Sequence, residues 1–306
     1  MMDRRSFLVS AGMVLMAGAA GAASNNPVIP LWPHEPPGGG GPSGPVRVSE
    51  KGAVSNIAVP VLEVFVPTRP SGAAMLVAGG GGYKRIEMAN EAYPAARWLA
   101  TQGITAFVLS YRLPPEGWNE GPLAPLQDAQ RALRLIRASA ARYGIDPHRV
   151  GVLGFSAGGH LMGLVSTRSA FASYQPGDAI DTQSARPDMA ALIYPVITLK
   201  PPYDHTSTRK SLIGPHPDQQ ASAEWSVETH VRSGCPPMFL VQAEDDPISD
   251  PANTLIMADA CKRAGVPVEL HRLPNGGHGF GMGKSGTPTS VWPGFYATWL
   301  HKVIPS

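Results

Sequence analysis

The sequence predicts an α/β fold with a mainly parallel central sheet, helices on both faces and a partial cap. From about residue 73 to residue 303, short apolar runs alternate with segments of helical periodicity. This alternation is typical of parallel strands joined by crossover helices. A long, polar, proline-containing region at 198–234 interrupts the pattern. Because loops of that size in compact domains tend to be functional, we interpret it as a partial cover over a site.

The individual elements follow from the apolar patterns in chain order. Strands are predicted at 58–67, 73–78, 104–109, 150–155, 189–197, 238–243 and 267–272. Helices are predicted at 87–102, 126–143, from about 157, at 253–263 and at 290–303. Since ligands bind at the carboxyl ends of parallel strands, functional residues are expected just after strands.

The N-terminal segments differ from the rest of the chain. Residues 1–23 contain Arg4-Arg5, an apolar stretch and a run of small residues, which predicts an export signal that resembles a twin-arginine signal. Roughly 14 apolar residues are fewer than the ~20 of a membrane span. We therefore expect cleavage near Ala23, no stable membrane insertion afterwards, and a periplasmic or secreted location in a bacterium. Residues 24–54, rich in Pro and Gly, are predicted as an extended arm before one domain at 55–306.

Composition narrows the possible partners. The 25 basic and 23 acidic residues leave a formal net charge of +2, and the body of the protein has no basic run, so nucleic acid is not an expected partner.

The two cysteines, Cys235 and Cys261, are too few for a disulfide scaffold or a metal site, and no cofactor is expected. In an oxidising compartment these two cysteines could form a disulfide, but the sequence leaves their pairing open.

A G-x-S-x-G motif follows the predicted strand 150–155. Gly154, Ser156 and Gly158 form it, at the point where an apolar run gives way to a helix-compatible sequence. A serine on a tight strand-to-helix turn has a strained backbone, and glycines two residues away on either side remove side chains that would clash. The motif predicts Ser156 as a nucleophile.

A serine nucleophile needs a base and an acid, which in this fold follow it in the chain in the order acid, then histidine. His278 lies in a glycine-rich turn directly after strand 267–272, whereas His271 lies within that strand and His301 in the last helix. We predict His278 as the base, with a structural role for His271 and a solvated His301. Asp246 follows strand 238–243 and precedes a proline, which favours it over Asp245 as the acid. The acid not used is expected to cap a helix or to be solvated.

An oxyanion intermediate needs fixed N–H donors. The amide of Ala157 follows the nucleophile at a helix start, and the run Gly79–Tyr83 after strand 73–78 allows close backbone approach. The same glycine run completes neither the Walker A nor the G-x-G-x-x-G pattern, which argues against nucleotide binding.

Several stretches together resemble a known family. They are GGGGY (79–83), LSYRLPP (109–115), LQDAQRALRLIR (126–137), YGIDPHRVGVLGFSAGGHL (143–161), PPMFLVQAEDDP (236–247) and AGVPVELHRLPNGGHGFG (264–281). They resemble the α/β-hydrolase esterases related to acetylxylan esterases, some of them labelled xylanase-like, over roughly residues 55–300.

This resemblance implies an α/β-hydrolase fold and a serine esterase that needs no metal. The implied substrates are acyl groups such as acetate carried by sugars or other small alcohols. It assigns Ser156, Asp246 and His278 as the catalytic residues, and Gly81, Gly82 and Ala157 as oxyanion contributors. This chain departs from many relatives at Gly79, before the glycine loop, and at Gln242 and Ala243, before the acid.

Two other functions remain open from the sequence. A serine peptidase uses the same fold and triad order, and a non-catalytic binding protein can retain the fold. Four aromatic residues near loops could line the entrance or fill the core or cap: Tyr83, Trp118, Tyr194 and Trp225.

Overall fold

A computed structural model describes residues 26–304 of the chain. The export signal predicted at 1–23 lies outside the described residues. Within residues 26–304, no helix is both long enough and apolar enough to cross a membrane.

Ten strands and eight α-helices make up the described chain. The strands are β1 Val28–Pro30, β2 Arg47–Val48, β3 Val54–Ser55, β4 Val61–Phe65, β5 Ala74–Ala78, β6 Thr105–Ser110, β7 Val150–Phe155, β8 Ala190–Ile193, β9 Met238–Ala243 and β10 Val268–Leu273. The helices are α1 Tyr93–Thr101, α2 Leu123–Ala138, α3 Ala140–Tyr143, α4 Ser156–Thr167, α5 Ser207–Ile213, α6 Gln219–Glu224, α7 Ala252–Arg263 and α8 Trp292–Val303.

Eight strands form the central sheet, in the order β1-β4-β6-β5-β7-β8-β9-β10. Strands β5 to β10 pair in parallel, and β4 and β1 add antiparallel strands at one edge. Strand β7 lies between β5 and β8, so its carboxyl end is near the middle of the sheet. The predicted mainly parallel sheet is confirmed.

Helices cover both faces of the sheet. Neighbouring residues of a strand point to opposite faces of the sheet. At the end of β7, Phe155 and Gly154 therefore contact helices on opposite faces. The Phe155 ring packs against Trp292 of α8, with ring centroids 6.4 Å apart. On the other face, Gly154 lies so close to the first turn of α4 that a Cβ there would be 2.3 Å from the carbonyl oxygen of Gly158.

The helix predicted at 126–143 divides at Ser139 into α2 and α3. Two other predicted elements end or divide early through a change of backbone conformation. The strand predicted at 189–197 stops at Ile193, because Tyr194 has a φ of 38° and leaves the extended conformation. The helix predicted at 87–102 consists of a π-helical turn at Met88–Ala92 followed by α1. Hydrophobicity alone does not reveal either backbone change.

The predicted N-terminal arm packs on the body of the protein. Strand β1 pairs with β4 at the sheet edge, and Leu31 is fully buried. The Nε1 of Trp32 donates a hydrogen bond to Asp128 over 2.8 Å, and the Nε of Arg131 donates to the carbonyl oxygen of Leu31 over 2.9 Å. The described part of the arm therefore completes the hydrophobic core, although its prolines and glycines gave no strand signal.

The two cysteines are free thiols in the structure, and both are buried. The Sγ of Cys261 packs 3.6 Å from the Sδ of Met238. Burial raises the pKa of the Cys261 thiol to about 12. The disulfide that the sequence left open is therefore not formed.

We predict that Leu31→Ala lowers the free energy of unfolding by about 2–5 kcal/mol, because it empties a fully buried site. Urea unfolding of the purified protein measures this change. Val28→Ala, three residues earlier in the same arm but 58% exposed, is the matched control and is expected to have little effect. Equal stabilities for the two variants would contradict a structural role for the arm.

Candidate active site

Ser156 lies at the junction of β7 and α4 with a φ of 51°, in the left-handed region that side chains other than glycine rarely adopt. The turn depends on its neighbouring glycines. A Cβ at Gly158 would lie 2.3 Å from the carbonyl oxygen of Ala78, and one at Gly80 would lie 2.7 Å from the Cβ of Ser156. The serine is therefore held rigidly, with only 7% of its surface exposed.

His278 connects Ser156 to Asp246 by two short contacts. Its Nε2 lies 2.8 Å from the Oγ of Ser156, and its Nδ1 lies 2.8 Å from Oδ2 of Asp246. Because a carboxylate only accepts hydrogen bonds, Nδ1 carries the proton of a neutral imidazole and Nε2 is free to accept from the serine hydroxyl. The structure thus brings together three residues that the sequence separates by up to 122 positions.

Asp246 is fixed by four donors. The amides of Ile248 and Ser249 donate to its Oδ1, and His278 and the Nε2 of Gln242 donate to its Oδ2. Gln242 was not predicted as a site residue. Its position on buried strand β9, four residues before the acid, is the one signal in the sequence that points to this contact.

The other acids and histidines considered lie away from this relay. Asp245 is exposed and accepts a hydrogen bond from the amide of Gly277, so it stabilises the histidine turn and caps no helix. His271 stacks on Phe295 with ring centroids 4.5 Å apart. His301 is exposed at the end of α8.

The glycine loop after β5 faces the serine. Gly80 directs its amide to the carboxylate of Glu91, over 2.6 Å, and so has no free N–H. Gly81 and Gly82 line the same cavity as Ser156, and their amides have no partner in the described part of the chain. Ala157 follows the serine at the start of α4, where amides are free of intrahelical partners.

Glu91 is a buried site residue that sequence reasoning missed. It is 2% exposed and accepts hydrogen bonds from the amide of Gly80 and from the hydroxyl of Tyr194, the latter over 3.0 Å. Burial raises the pKa of Glu91 to about 7, although these donors act in the opposite direction. An acidic residue in a predicted surface helix carries no signal of such a role.

Tyr83 fixes the far end of the glycine loop through His160. The hydroxyl of Tyr83 lies 3.0 Å from Nδ1 of His160, and Nε2 of His160 lies 2.8 Å from the carbonyl oxygen of Trp225 in the 198–234 region. Since that carbonyl only accepts, Nε2 carries the proton and Nδ1 accepts from the tyrosine. The buried imidazole thus links the loop to the cap region.

The cavity above Ser156 has a volume of about 410 Å³. Its sixteen lining residues, eleven of them with polar or charged side chains, are Lys51, Gly81, Gly82, Lys84, Arg85, Glu87, Asn90, Glu91, Ser156, Val196, Thr206, Ser207, Thr208, Ile248, His278 and Gly279. Thr206–Thr208 belong to the 198–234 region, which therefore forms one wall.

The sequence left open whether four aromatic residues line the entrance or fill the core or cap, and all four are buried. Tyr83 and Tyr194 are fully buried, and Trp118 and Trp225 are 6% and 7% exposed. None of them lines the cavity above Ser156. They fill the core and the base of the cap rather than the entrance.

Within residues 26–304, no group of three or more His, Cys, Asp or Glu side chains is arranged to hold a metal ion. Near Ser156, burial raises the pKa values of Glu91, Tyr83, Tyr111 and Tyr194. Burial lowers the pKa of His160.

A parallel sheet with a serine elbow, a histidine and an aspartate at its carboxyl edge defines the class of α/β-hydrolases. The chain belongs to the BD-FAE family, whose model matches residues 62–260. A solved structure, an acetyl ester-xyloside bifunctional hydrolase from Caldicellulosiruptor lactoaceticus, is 35% identical with a TM-score of 0.77, over 93% of this chain and 98% of that one.

Two curated relatives are similar over part of their length. An acetylxylan esterase of Xylanibacter ruminicola is 34% identical over 72% of this chain and 43% of its own length. Endo-1,4-beta-xylanase B of Butyrivibrio fibrisolvens is 34% identical over 67% of this chain and 32% of its own length. The chain thus spans less than half the length of these two relatives.

We predict that His160 makes stability fall in acid. Burial lowers the pKa of His160 from 6.5 to about 4, so the unfolded chain binds a proton between these pH values while the native protein does not. The free energy of unfolding should fall as the pH drops from 6.5 to 4, by at most on the order of 3 kcal/mol from this residue.

Urea unfolding at several pH values measures this dependence. His160→Gln should reduce the slope, whereas His301→Gln, at an exposed histidine, should leave the slope unchanged. The same slope in wild type and His160→Gln would contradict the assignment.

Proposed function

We propose that this chain is a serine carboxylic ester hydrolase that removes short acyl groups, acetyl above all, from sugars or other small alcohols. The observation that carries this proposal is the relay of two 2.8 Å contacts from Ser156 through His278 to Asp246, open to a cavity. The acetyl group and the sugar alcohol are inferred from two similar proteins, an acetylxylan esterase and an acetyl ester-xyloside bifunctional hydrolase.

Acylation begins with attack by the Oγ of Ser156 on the ester carbonyl carbon, as its proton passes to Nε2 of His278. Asp246 holds the imidazole in the required tautomer and stabilises its positive charge. The carbonyl oxygen becomes an oxyanion, and we assign its stabilisation to the amides of Gly81, Gly82 and Ala157. When this intermediate collapses, the alcohol leaves with the proton from Nε2.

Deacylation repeats the sequence with water. His278 removes a proton from the water as its oxygen attacks the acyl carbon, and the same amides receive the second oxyanion. The acid is then released, and the proton returns to the Oγ of Ser156. The reaction needs no group beyond these side chains and amides.

A short acyl group and a polar alcohol agree with the cavity. Its volume of about 410 Å³ must hold both parts of the ester, and eleven of its sixteen lining residues have polar or charged side chains. A long apolar acyl chain would leave lysine, asparagine and threonine groups at this surface without water. No observation favours peptide substrates, for which the cavity would need a series of subsites.

We predict that Ser156→Ala lowers kcat for p-nitrophenyl acetate at least ~10⁴-fold, because it removes the nucleophile. Initial rates at saturating substrate measure the loss. Ser211→Ala, at a half-buried serine whose hydroxyl oxygen is buried and has no hydrogen-bond partner among the described residues, is the matched control. Wild-type activity in Ser156→Ala would exclude this serine as the nucleophile, and inactive wild-type protein with accessible Ser156 would favour a non-catalytic binding protein.

A substrate panel on the same wild-type sample separates the enzyme classes. Acetylated xylan, acetylated monosaccharides and aryl acetates should be hydrolysed, and aminoacyl p-nitroanilides should not. Hydrolysis of the anilides with no ester cleavage would support the serine peptidase instead.

We further propose export to the periplasm or the medium, with cleavage of residues 1–23. The support is the paired arginine, the apolar stretch and the small residues at the expected cleavage position. Intact mass of the exported protein should give a mature N-terminus near Ala23. Exported protein that retains residues 1–20 would contradict cleavage.

A further inference from the structure

We propose that Glu91 is a positioning residue whose carboxylate ties the oxyanion loop to the turn that carries His278. This inference rests on the esterase function proposed above. It assigns a task to a buried acid that takes no part in the serine relay.

The first connection runs from Glu91 to the glycine loop. The amide of Gly80 donates to Oε2 over 2.6 Å, a length typical of a hydrogen bond to a charged acceptor. This bond engages the Gly80 amide and fixes the peptide between Gly79 and Gly80, directly before the residues that carry the Gly81 and Gly82 amides. The orientation of the Gly81 and Gly82 amides, which we assign to the oxyanion, therefore depends on the carboxylate.

The second connection runs through Tyr194 to the histidine turn. The hydroxyl of Tyr194 donates to Oε1 of Glu91 over 3.0 Å and accepts from the amide of Gly281, also over 3.0 Å. The ring of Tyr194 packs against the imidazole of His278, with centroids 4.9 Å apart. One carboxylate thus fixes elements on both sides of Ser156.

The hydrogen bonds require an acceptor on both oxygens. Glu91 and Tyr194 are buried, so neither the amide of Gly80 nor the hydroxyl of Tyr194 can exchange its bond to Glu91 for a bond to water. With a protonated carboxyl or a glutamine amide, the Tyr194 hydroxyl would have to accept from residue 91 as well as from the amide of Gly281, and its own buried hydrogen would lose its acceptor. The ionised form of Glu91 is therefore the form that holds the site together.

The charge of Glu91 also favours the catalytic imidazolium. The titratable groups that face Glu91 are Glu87, Tyr111, Tyr194 and His278. Protonated His278 lowers the pKa of Glu91, whereas Glu87 raises it, so a negative Glu91 and a positive His278 stabilise each other. As the pH falls below about 7, Glu91 takes up a proton and this contribution disappears.

Glu91→Gln tests the inference, because glutamine keeps the shape and one acceptor while it removes the charge. We expect kcat for p-nitrophenyl acetate to fall about 10- to 100-fold with KM within about twofold, since glutamine keeps the shape of this cavity-lining side chain while the oxyanion donors lose their support. As the pH is lowered below about 7, kcat/KM should fall more steeply in the wild type than in the variant, which lacks the titrating carboxyl. An unchanged kcat together with an unchanged acid limb would overturn the inference.

Active sites are counted by titration of Ser156 with diethyl p-nitrophenyl phosphate, and kcat is expressed per titrated serine. Glu228→Gln is the matched control, because this glutamate side chain is 7% exposed but contacts neither loop of the site. Its kcat should equal that of wild type. A loss as large as that of Glu91→Gln would make the effect a general consequence of a buried substitution and overturn the inference.

Tyr194→Phe keeps the test decisive if Glu91→Gln does not fold. It removes the hydroxyl's hydrogen bonds to Glu91 and from Gly281 and leaves the bond from Gly80 to Glu91, so we expect kcat to fall about 3- to 10-fold. A wild-type kcat in this variant would contradict the second connection. Failure of the esterase proposal would be recognised separately, as wild-type protein that reacts with the phosphate ester at no serine and cleaves no ester.

Discussion

The active site depends on the close approach of helix α4 to the ends of strands β5 and β7. Gly80, Gly154 and Gly158 each occupy a position where a Cβ would lie 2.7 Å or less from a neighbouring atom. This packing forces Ser156 to a φ of 51° and brings the start of α4 against the glycine loop. Ser156 and the loop amides then border one cavity, and that geometry cannot be kept with larger residues at these three positions.

The sequence predicts those parts of the site that have a local signature. Ser156 follows from two glycines and an apolar strand, and His278 and Asp246 follow from their positions after consecutive strands. The parallel sheet follows in the same way, because apolar runs alternate with helical periods. These predictions use residues that are neighbours in the chain, and the fold places the three side chains at one edge of the sheet.

Contacts between distant residues were not predictable from the pattern. Glu91 and Tyr194 are 103 positions apart, and Tyr83 and His160 are 77 apart, so nothing near any of them in the chain indicates its partner. The edge strand at Val28–Pro30 was hidden by surrounding prolines and glycines, and it forms because β4 offers an unpaired edge. The two side-chain contacts result from burial in the folded protein, and the edge strand results from pairing with β4. Neither cause leaves a periodic pattern in the sequence.

The central claim is that Ser156 forms the acyl-enzyme while the amides of Gly81, Gly82 and Ala157 receive the oxyanion. A crystal structure of the protein after reaction with diethyl p-nitrophenyl phosphate tests it most directly, since the bound phosphoryl group mimics the tetrahedral intermediate. The account predicts a covalent bond to the Oγ of Ser156, with the phosphoryl oxygen within about 3.1 Å of at least two of these three amides. A phosphoryl group on another residue, or an oxygen directed away from the glycine loop, would contradict the account.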